Sequence, residues 1–114
     1  MFVVRYPASQ AALAVIDADP DGSRWARRFE VYAGGLELAN AFEELTDPVE
    51  QRRRFAADLA LRARLYPDWP ASPMPEAFLA ALEDGMPPSG GIALGVDRLV
   101  MLVADEADIA TVRW

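Results

Sequence analysis

Residues 28–45 read RFEVYAGGLELANAFEEL, and this stretch decides the fold. Two runs typical of β-strands, 28–32 and 36–45, stand on either side of 33–35, whose adjacent glycines provide the backbone freedom of a hairpin turn. We therefore predict an antiparallel strand pair. The second run also carries three carboxylates, Glu37, Glu43 and Glu44.

These acids have two readings. In a half-buried strand alternate side chains face solvent, which explains one or two of them, and Glu43 is taken as solvated. Glu37 and Glu44 together would instead share a Mg²⁺ ion or bind an ammonium group. Their odd spacing puts them on opposite faces of a regular strand, so the second reading requires a bulge or bend near 39–41.

The composition excludes several kinds of chemistry. The chain of 114 residues is 53% apolar, enough for one small domain or part of a larger one. Without cysteine or histidine it has no disulfide, no thiolate zinc site and no Ser-His-Asp triad. All eleven basic residues are arginine, so no lysine is present for a Walker-type phosphate loop or a Schiff base.

Net charge and hydropathy limit the kinds of partner that the chain can bind. A formal charge of −7 argues against a nucleic-acid surface, and the arginine triplet 52–54 is predicted to be a solvated helix face. No run of about 18 apolar residues and no basic leader is present, so we expect a cytoplasmic protein without a membrane contact.

Outside the hairpin the pattern alternates strands and helices. A strand is expected over 2–6, then a helix over 9–16 with Ser9 near its N-cap; alternatively, Ser9 and Gln10 would hydrogen-bond a ligand. Asp47 followed by Pro48 predicts a helix of about 18 residues. A second helix is expected to open near 72–75 and to close at Gly85.

The C-terminal stretch GGIALGVDRLVML, residues 90–102, predicts a buried strand over 91–96 and a short buried helix over 99–103 started by Asp97. At the joint between them Gly95 would let a ligand approach the backbone, and Arg98 would reach a polyphosphate. A capped helix with a structural Asp-Arg pair would look the same. The fold class predicted is α+β, an antiparallel sheet with flanking helices.

Two segments together resemble a known family. GLELANAFEELTDPVEQRRRF, residues 35–55, and GGIALGVDRLVML are similar to the C-terminal part of a class II, lysyl-tRNA-synthetase-like catalytic domain, and the second contains its motif 3. Within that superfamily YPASQAALA, RFEVYAGGLELA, FEELTDPVEQ and GMPPSGGIALGVDRLVMLV resemble the elongation factor P–(R)-β-lysine ligases.

The resemblance implies an enzyme that uses ATP and Mg²⁺ to form an adenylate of lysine or β-lysine and transfers the acyl group to a lysine of elongation factor P. tRNA is not expected as a partner, and the parent enzyme is expected to be a homodimer. Two alternatives remain: a fragment of a lysyl-tRNA synthetase, and a truncated, non-catalytic paralogue that serves as a binding module.

The resemblance also implies roles for individual residues. Arg98 matches the motif 3 arginine on the γ-phosphate and is the expected catalytic residue. ATP-binding positions are Glu37, Leu38, Gly95 and Arg98. Substrate positions are Asn40, Glu44 and Ala93, and metal positions are Glu37 and Glu44.

The chain departs from the family pattern at several points. Ala41 replaces a glycine usual in the family, and Ala93 stands where lysyl-tRNA synthetases usually carry glycine. Motifs 1 and 2 are not found. We therefore expect residues 1–114 to be a single partial catalytic domain from a longer enzyme, inactive by itself.

Overall fold

The computed structural model describes residues 1–113, which form five strands and three α-helices. The strands are β1 (Phe2–Pro7), β2 (Ile16–Ala18), β3 (Arg24–Ala33), β4 (Leu36–Glu43) and β5 (Gly90–Leu94). The helices are α1 (Pro48–Leu65), α2 (Glu76–Glu83) and α3 (Val96–Ala104), with short 3-10 turns at Ala8–Gln10 and Ile109–Thr111. Two compact units result: a sheet unit, residues 1–44 and from 90 onward, and a helical unit, residues 45–89.

The sheet is antiparallel throughout, in the order β1-β3-β4-β5, with β2 paired to the beginning of β3. The predicted α+β fold with an antiparallel sheet is confirmed. At the hairpin between β3 and β4, Gly34 and Gly35 have φ of 56° and 80°. Two consecutive residues with positive φ form the tight turn that matches strand twist, which is why glycines occupy both positions.

A β-bulge interrupts the pairing of β3 with β4. Val31 pairs with Ala39 but Tyr32 pairs with Glu37, so Leu38 is an extra residue on β4. The sequence predicted such a bulge at 39–41, and it lies one residue earlier. Because one inserted residue reverses the alternation of side chains, Glu37 lies on the same side of the sheet as Asn40.

The helical unit contains α1 and α2. The Asp47 carboxylate accepts hydrogen bonds from the backbone N–H groups of Val49 and Glu50 at 2.8 and 3.1 Å, and α1 has the 18 residues expected. The prediction that the arginine triplet 52–54 is solvated is wrong for Arg54, whose side chain is 11% exposed beside Glu50. No helix within residues 1–113 is both long and apolar enough to cross a membrane.

Two predictions about local structure are wrong. Residues 9–16 are not a helix: Ser9 lies inside a 3-10 turn, Ala12 has φ of 49°, and β2 begins at Ile16. Val15 instead donates its N–H to the Glu43 carbonyl at 2.9 Å, so pairing with the sheet overrides the local helical pattern.

The second correction concerns β5 and α3, which were predicted to be buried. Ile92 and Leu94 are 64% and 54% exposed, and Met101 is the buried residue of α3. The helix also begins earlier than expected, at Val96 with Gly95 as its N-cap, so Asp97 lies in the first turn. The apolar side chains were correctly placed in a strand and a helix, but no described residue covers most of them.

Candidate functional site

One side of the sheet gathers the polar residues of the hairpin. Directly paired residues on neighbouring antiparallel strands point to the same side. The observed register pairs Arg28 with Phe42, Glu30 with Asn40, Tyr32 with Glu37, Asn40 with Ala93 and Phe42 with Gly91. We call this side the site face.

At one end of the site face, the start of α3 is tied to the bulge. Gly95 donates its N–H to the Leu38 carbonyl at 2.8 Å, and the Arg98 guanidinium donates to the Glu37 carbonyl at 2.7 Å. Arg98 also lies 3.7 Å from the Glu37 carboxylate. The structure thus brings together the four residues predicted to bind ATP, and we call this the arginine end. An open cavity of about 400 Å³ adjoins it, lined by 94–98 and Ile109.

At the other end lies Glu44, directly after β4. Its Oε1 atom is 2.5 Å from the position that a Cβ on Gly91 would occupy, so the carboxylate lies on the site face over β5. Within residues 1–113 no hydrogen bond or ion pair engages this carboxylate. Glu43, on the opposite face, instead pairs with Arg27 at 2.8 Å. We call this the glutamate end.

Asn40 and Ala93 are paired across β4 and β5, between the two ends. The Oδ1 atom of Asn40 is inaccessible to solvent and has no hydrogen-bond partner among the described residues. A buried amide oxygen without a donor is unfavourable, and a ligand N–H would satisfy it. Ala93 is exposed, so its methyl group borders the space above Asn40.

A network that the sequence analysis missed supports the middle of the site face. Glu30 is 8% exposed, and its carboxylate accepts hydrogen bonds from the hydroxyls of Tyr32 and Tyr6, at 2.6 and 2.5 Å, and from Arg28. The hydroxyls of Tyr32 and Tyr6 hold the pKa of Glu30 below its usual range. Burial and then the Glu30 carboxylate raise the pKa of Tyr6.

Arg28 is the cation of this network. Its guanidinium lies 4.1 Å from the centre of the Tyr6 ring and 5.3 Å from that of Phe42, and it donates to the Gln10 carbonyl at 2.8 Å. The segment PASQ, residues 7–10, thus contributes a backbone carbonyl that accepts a hydrogen bond from Arg28. The available signal was the alternation of Arg28, Glu30 and Tyr32 along β3, which places all three on one side.

The sharing of one metal ion by Glu37 and Glu44 stays a prediction. Both side chains lie on the site face, because the bulge at Leu38 brings Glu37 to the side that also carries Asn40 and Glu44. Within residues 1–113 no group of three or more acidic side chains could hold a metal. Glu30 is a second acid near Glu37, because it lies two residues from Tyr32, the residue of β3 that pairs with Glu37.

Comparison with known proteins identifies the family of the chain. A family model described as tRNA synthetases class II (D, K and N) matches residues 1–114. The chain is 56% identical over 102 residues to the elongation factor P–(R)-β-lysine ligase of Edwardsiella ictaluri (strain 93-146), covering 90% of this chain and 30% of that protein. It is 49% identical over 112 residues to the lysine–tRNA ligase of Anaeromyxobacter sp. (strain K), covering 97% of this chain and 21% of that protein.

A second ligase of the same name, from Hamiltonella defensa subsp. Acyrthosiphon pisum (strain 5AT), is 49% identical over 112 residues, covering 98% of this chain and 33% of that protein. The chain thus spans about a third of the length of the two elongation factor P ligases and about a fifth of that of the lysine–tRNA ligase. The resemblance inferred from the two quoted segments is confirmed. This chain belongs to the family of class II tRNA synthetases of the D, K and N type.

Proposed function

We propose that this chain is part of an ATP-dependent ligase that activates (R)-β-lysine as its adenylate and transfers the β-lysyl group to a lysine of elongation factor P. In this proposal the arginine end binds the ATP phosphates and the glutamate end binds the side-chain ammonium of the amino acid. The names of the similar ligases support the reaction class.

The proposal rests on which charged side chains of the site face are paired and which are not. Arg28 pairs with Glu30 and Arg98 lies beside Glu37, whereas the Glu44 carboxylate has no cationic partner among the described residues. A carboxylate facing an open surface without a partner favours a cationic ligand, and a hydrogen bond to an ammonium would be charge-assisted. The unpartnered Oδ1 of Asn40 would accept a second N–H from the same amino acid.

The chemistry requires no protein nucleophile. A carboxylate oxygen of the amino acid attacks the α-phosphorus of ATP, the bond to the bridging oxygen breaks, and pyrophosphate leaves. The acceptor amine then attacks the acyl carbon, and AMP leaves as an amide forms. The residues proposed here act by alignment and charge: Arg98 on the γ-phosphate, the backbone at Leu38 and Gly95 against the nucleotide, and Glu44 and Asn40 on the amino acid.

Mg²⁺ fits the donors at the arginine end. Glu37 would hold the ion, since carboxylate oxygen is its preferred protein ligand and phosphates and water supply the remainder. Glu30 accepts three hydrogen bonds out of about four that a carboxylate can accept, so it retains room for one contact. When bound, Mg²⁺ neutralises charge that develops on the phosphates. Glu44, on the same face, is the second metal position that the family resemblance implies.

A lysyl-tRNA synthetase fragment is the second candidate, favoured by the relative that is 49% identical. Ala93 separates the two candidates, because its methyl group beside Asn40 narrows the space for the amino acid. We predict that Ala93→Gly raises the affinity for α-lysine relative to (R)-β-lysine. Competition between the two isomers in calorimetric titrations would measure this ratio, and an unchanged ratio would contradict the role given to Ala93.

Calorimetric titration of the 114-residue chain tests the proposal. ATP with Mg²⁺ is titrated first, followed by (R)-β-lysine, into wild type, Arg98→Ala, Glu37→Ala and Glu44→Gln. Glu43→Gln is the matched control for Glu44, since it removes the neighbouring charge on the other face. Arg24→Ala is the control for Arg98.

We expect Arg98→Ala and Glu37→Ala to weaken ATP binding on the order of tenfold or more, and Glu44→Gln to weaken β-lysine binding similarly with ATP binding unchanged. Equal losses for Glu43→Gln and Glu44→Gln would contradict the ammonium site. A folded chain that binds neither ligand would contradict a preformed site in these 114 residues and assign both ligands to the longer enzyme alone.

A further inference from the structure

Gly91 has no side chain at the point where the Glu44 carboxylate lies. A Cβ built on Gly91 would stand 2.5 Å from Oε1 of Glu44 and 3.6 Å from its carboxyl carbon. The first distance is shorter than Cβ contacts in proteins allow, so a methyl group there would displace the carboxylate. The backbone of Gly91 is not in the left-handed region, so its conformation does not require glycine. Space, rather than backbone geometry, is what the glycine provides.

The preceding glycine behaves differently. A Cβ on Gly90 would meet only the Phe42 carbonyl oxygen, at 3.6 Å, an ordinary van der Waals distance. Gly90 also lies on β5 and has no positive φ. The two adjacent glycines thus lie on opposite faces of the sheet, and only Gly91 lies beneath the Glu44 carboxylate.

We propose that Gly91 is a positioning residue that sets the depth of the amino-acid site. Its missing side chain lets the Glu44 carboxylate lie back against β5, on the face that also carries Ala93. A larger residue would push the carboxylate outward, away from the place where it meets the ammonium of the ligand. This inference rests on the proposed role of Glu44 and adds the residue that fixes where that carboxylate stands.

The test compares Gly91→Ala with Gly90→Ala in the 114-residue chain, using (R)-β-lysine and ATP with Mg²⁺ as titrants. We expect Gly91→Ala to weaken β-lysine binding on the order of tenfold, because a charge-assisted contact is lost, while ATP binding stays within about twofold. Gly90→Ala should leave both affinities within about twofold. Equal effects of the two substitutions, or an equal loss of both ligands in Gly91→Ala, would overturn the proposal.

A double-mutant cycle isolates the contact. If the methyl group of Gly91→Ala acts through the Glu44 carboxylate, it lowers the affinity for (R)-β-lysine in wild type but not in Glu44→Ala. The same loss of affinity in both backgrounds would overturn the proposed contact.

The two proposals fail in different ways. If Glu44→Ala leaves β-lysine affinity unchanged, the proposed function of Glu44 is wrong and the role of Gly91 falls with it. If Glu44→Ala weakens binding but Gly91→Ala does not, only the role of Gly91 is overturned.

Discussion

Two adjacent arginines on β3 show how burial changes the consequence of an ion pair. Arg28 and Glu30 have side chains 11% and 10% exposed, and the pair lies on the site face. Arg27 contacts Asp17 and Glu43, each at 2.8 Å, and its side chain is 39% exposed. Removing one member of a buried pair leaves an uncompensated charge, whereas an exposed pair is largely replaced by water.

We therefore predict that Arg28→Met lowers the free energy of unfolding by roughly 3 kcal/mol, because it leaves the buried Glu30 carboxylate without a cation. Arg27→Met, the matched control, should cost less than about 1 kcal/mol. Urea denaturation followed by circular dichroism measures both. Similar losses in the two variants would show that Glu30 is not held by Arg28.

At the scale of the element, the first turn of α1 combines a cap with a carboxylate that binds two arginines. Asp47 caps the helix, and Glu50 accepts from Arg53 at 2.7 Å and from Arg54 at 2.9 Å. Hydrogen bonds from Arg53 and then Arg54 lower the pKa of Glu50 from 4.5 to about 2. A carboxyl group with a lowered folded-state pKa stabilises the fold above its unfolded value, and this contribution is lost as pH falls through the folded value.

Glu50→Gln should accordingly destabilise the chain by roughly 0.5–1 kcal/mol at about pH 6. The difference from wild type should shrink below pH 4.5 and disappear as the pH falls through about 2, where the wild-type carboxyl becomes protonated as well. Asp58→Asn, a change on the same helix at a residue without an ion pair in the structure, is the control. Urea midpoints across this pH range give the result, and a difference that persists below about pH 2 would rule out the ionic explanation.

Elements with strong local signals were predictable from the sequence. Gly34 and Gly35 determine the hairpin, and Asp47 with Pro48 determines the start of α1, because in each case the chemistry of one or two residues is sufficient. Residues 9–16 were misread as a helix because their strand partner, Ala26 opposite Ile16, lies elsewhere in the chain. Long-range pairing of this kind leaves no local pattern to detect.

The whole chain carries a formal charge of −7, and this bears on its partners. Nucleic-acid binding draws most of its affinity from cations that replace condensed counterions. We predict that tRNA is not retarded by the chain in a gel-shift assay at about 150 mM salt. A micromolar complex that weakens steeply as salt is raised would contradict this and favour the lysyl-tRNA synthetase reading.

The candidate site is assembled from distant parts of the chain and was only partly predictable from the sequence. Gly95 and Arg98 were placed beside Glu37 and Leu38 through a family resemblance, and the structure brings the four together. Glu30 was missed, because a regular hairpin from Gly34 and Gly35 would set it opposite Ala39, whereas the bulge sets it opposite Asn40. The exposure of Ile92 could not be predicted either, because an apolar sequence indicates burial but does not show which residue packs against it.

The extra residue at Leu38 has a consequence for how the site tolerates change. Side chains alternate between the two sides of a strand, so the number of residues between Glu37 and Asn40 decides whether the two lie on the same side. The identity of those residues does not affect this. Exchanging the Leu38 side chain preserves that number, while deleting the residue would turn Glu37 away from Asn40 and Glu44. The chemistry of this surface is therefore more sensitive to a change in strand length than to a change in sequence at the same position.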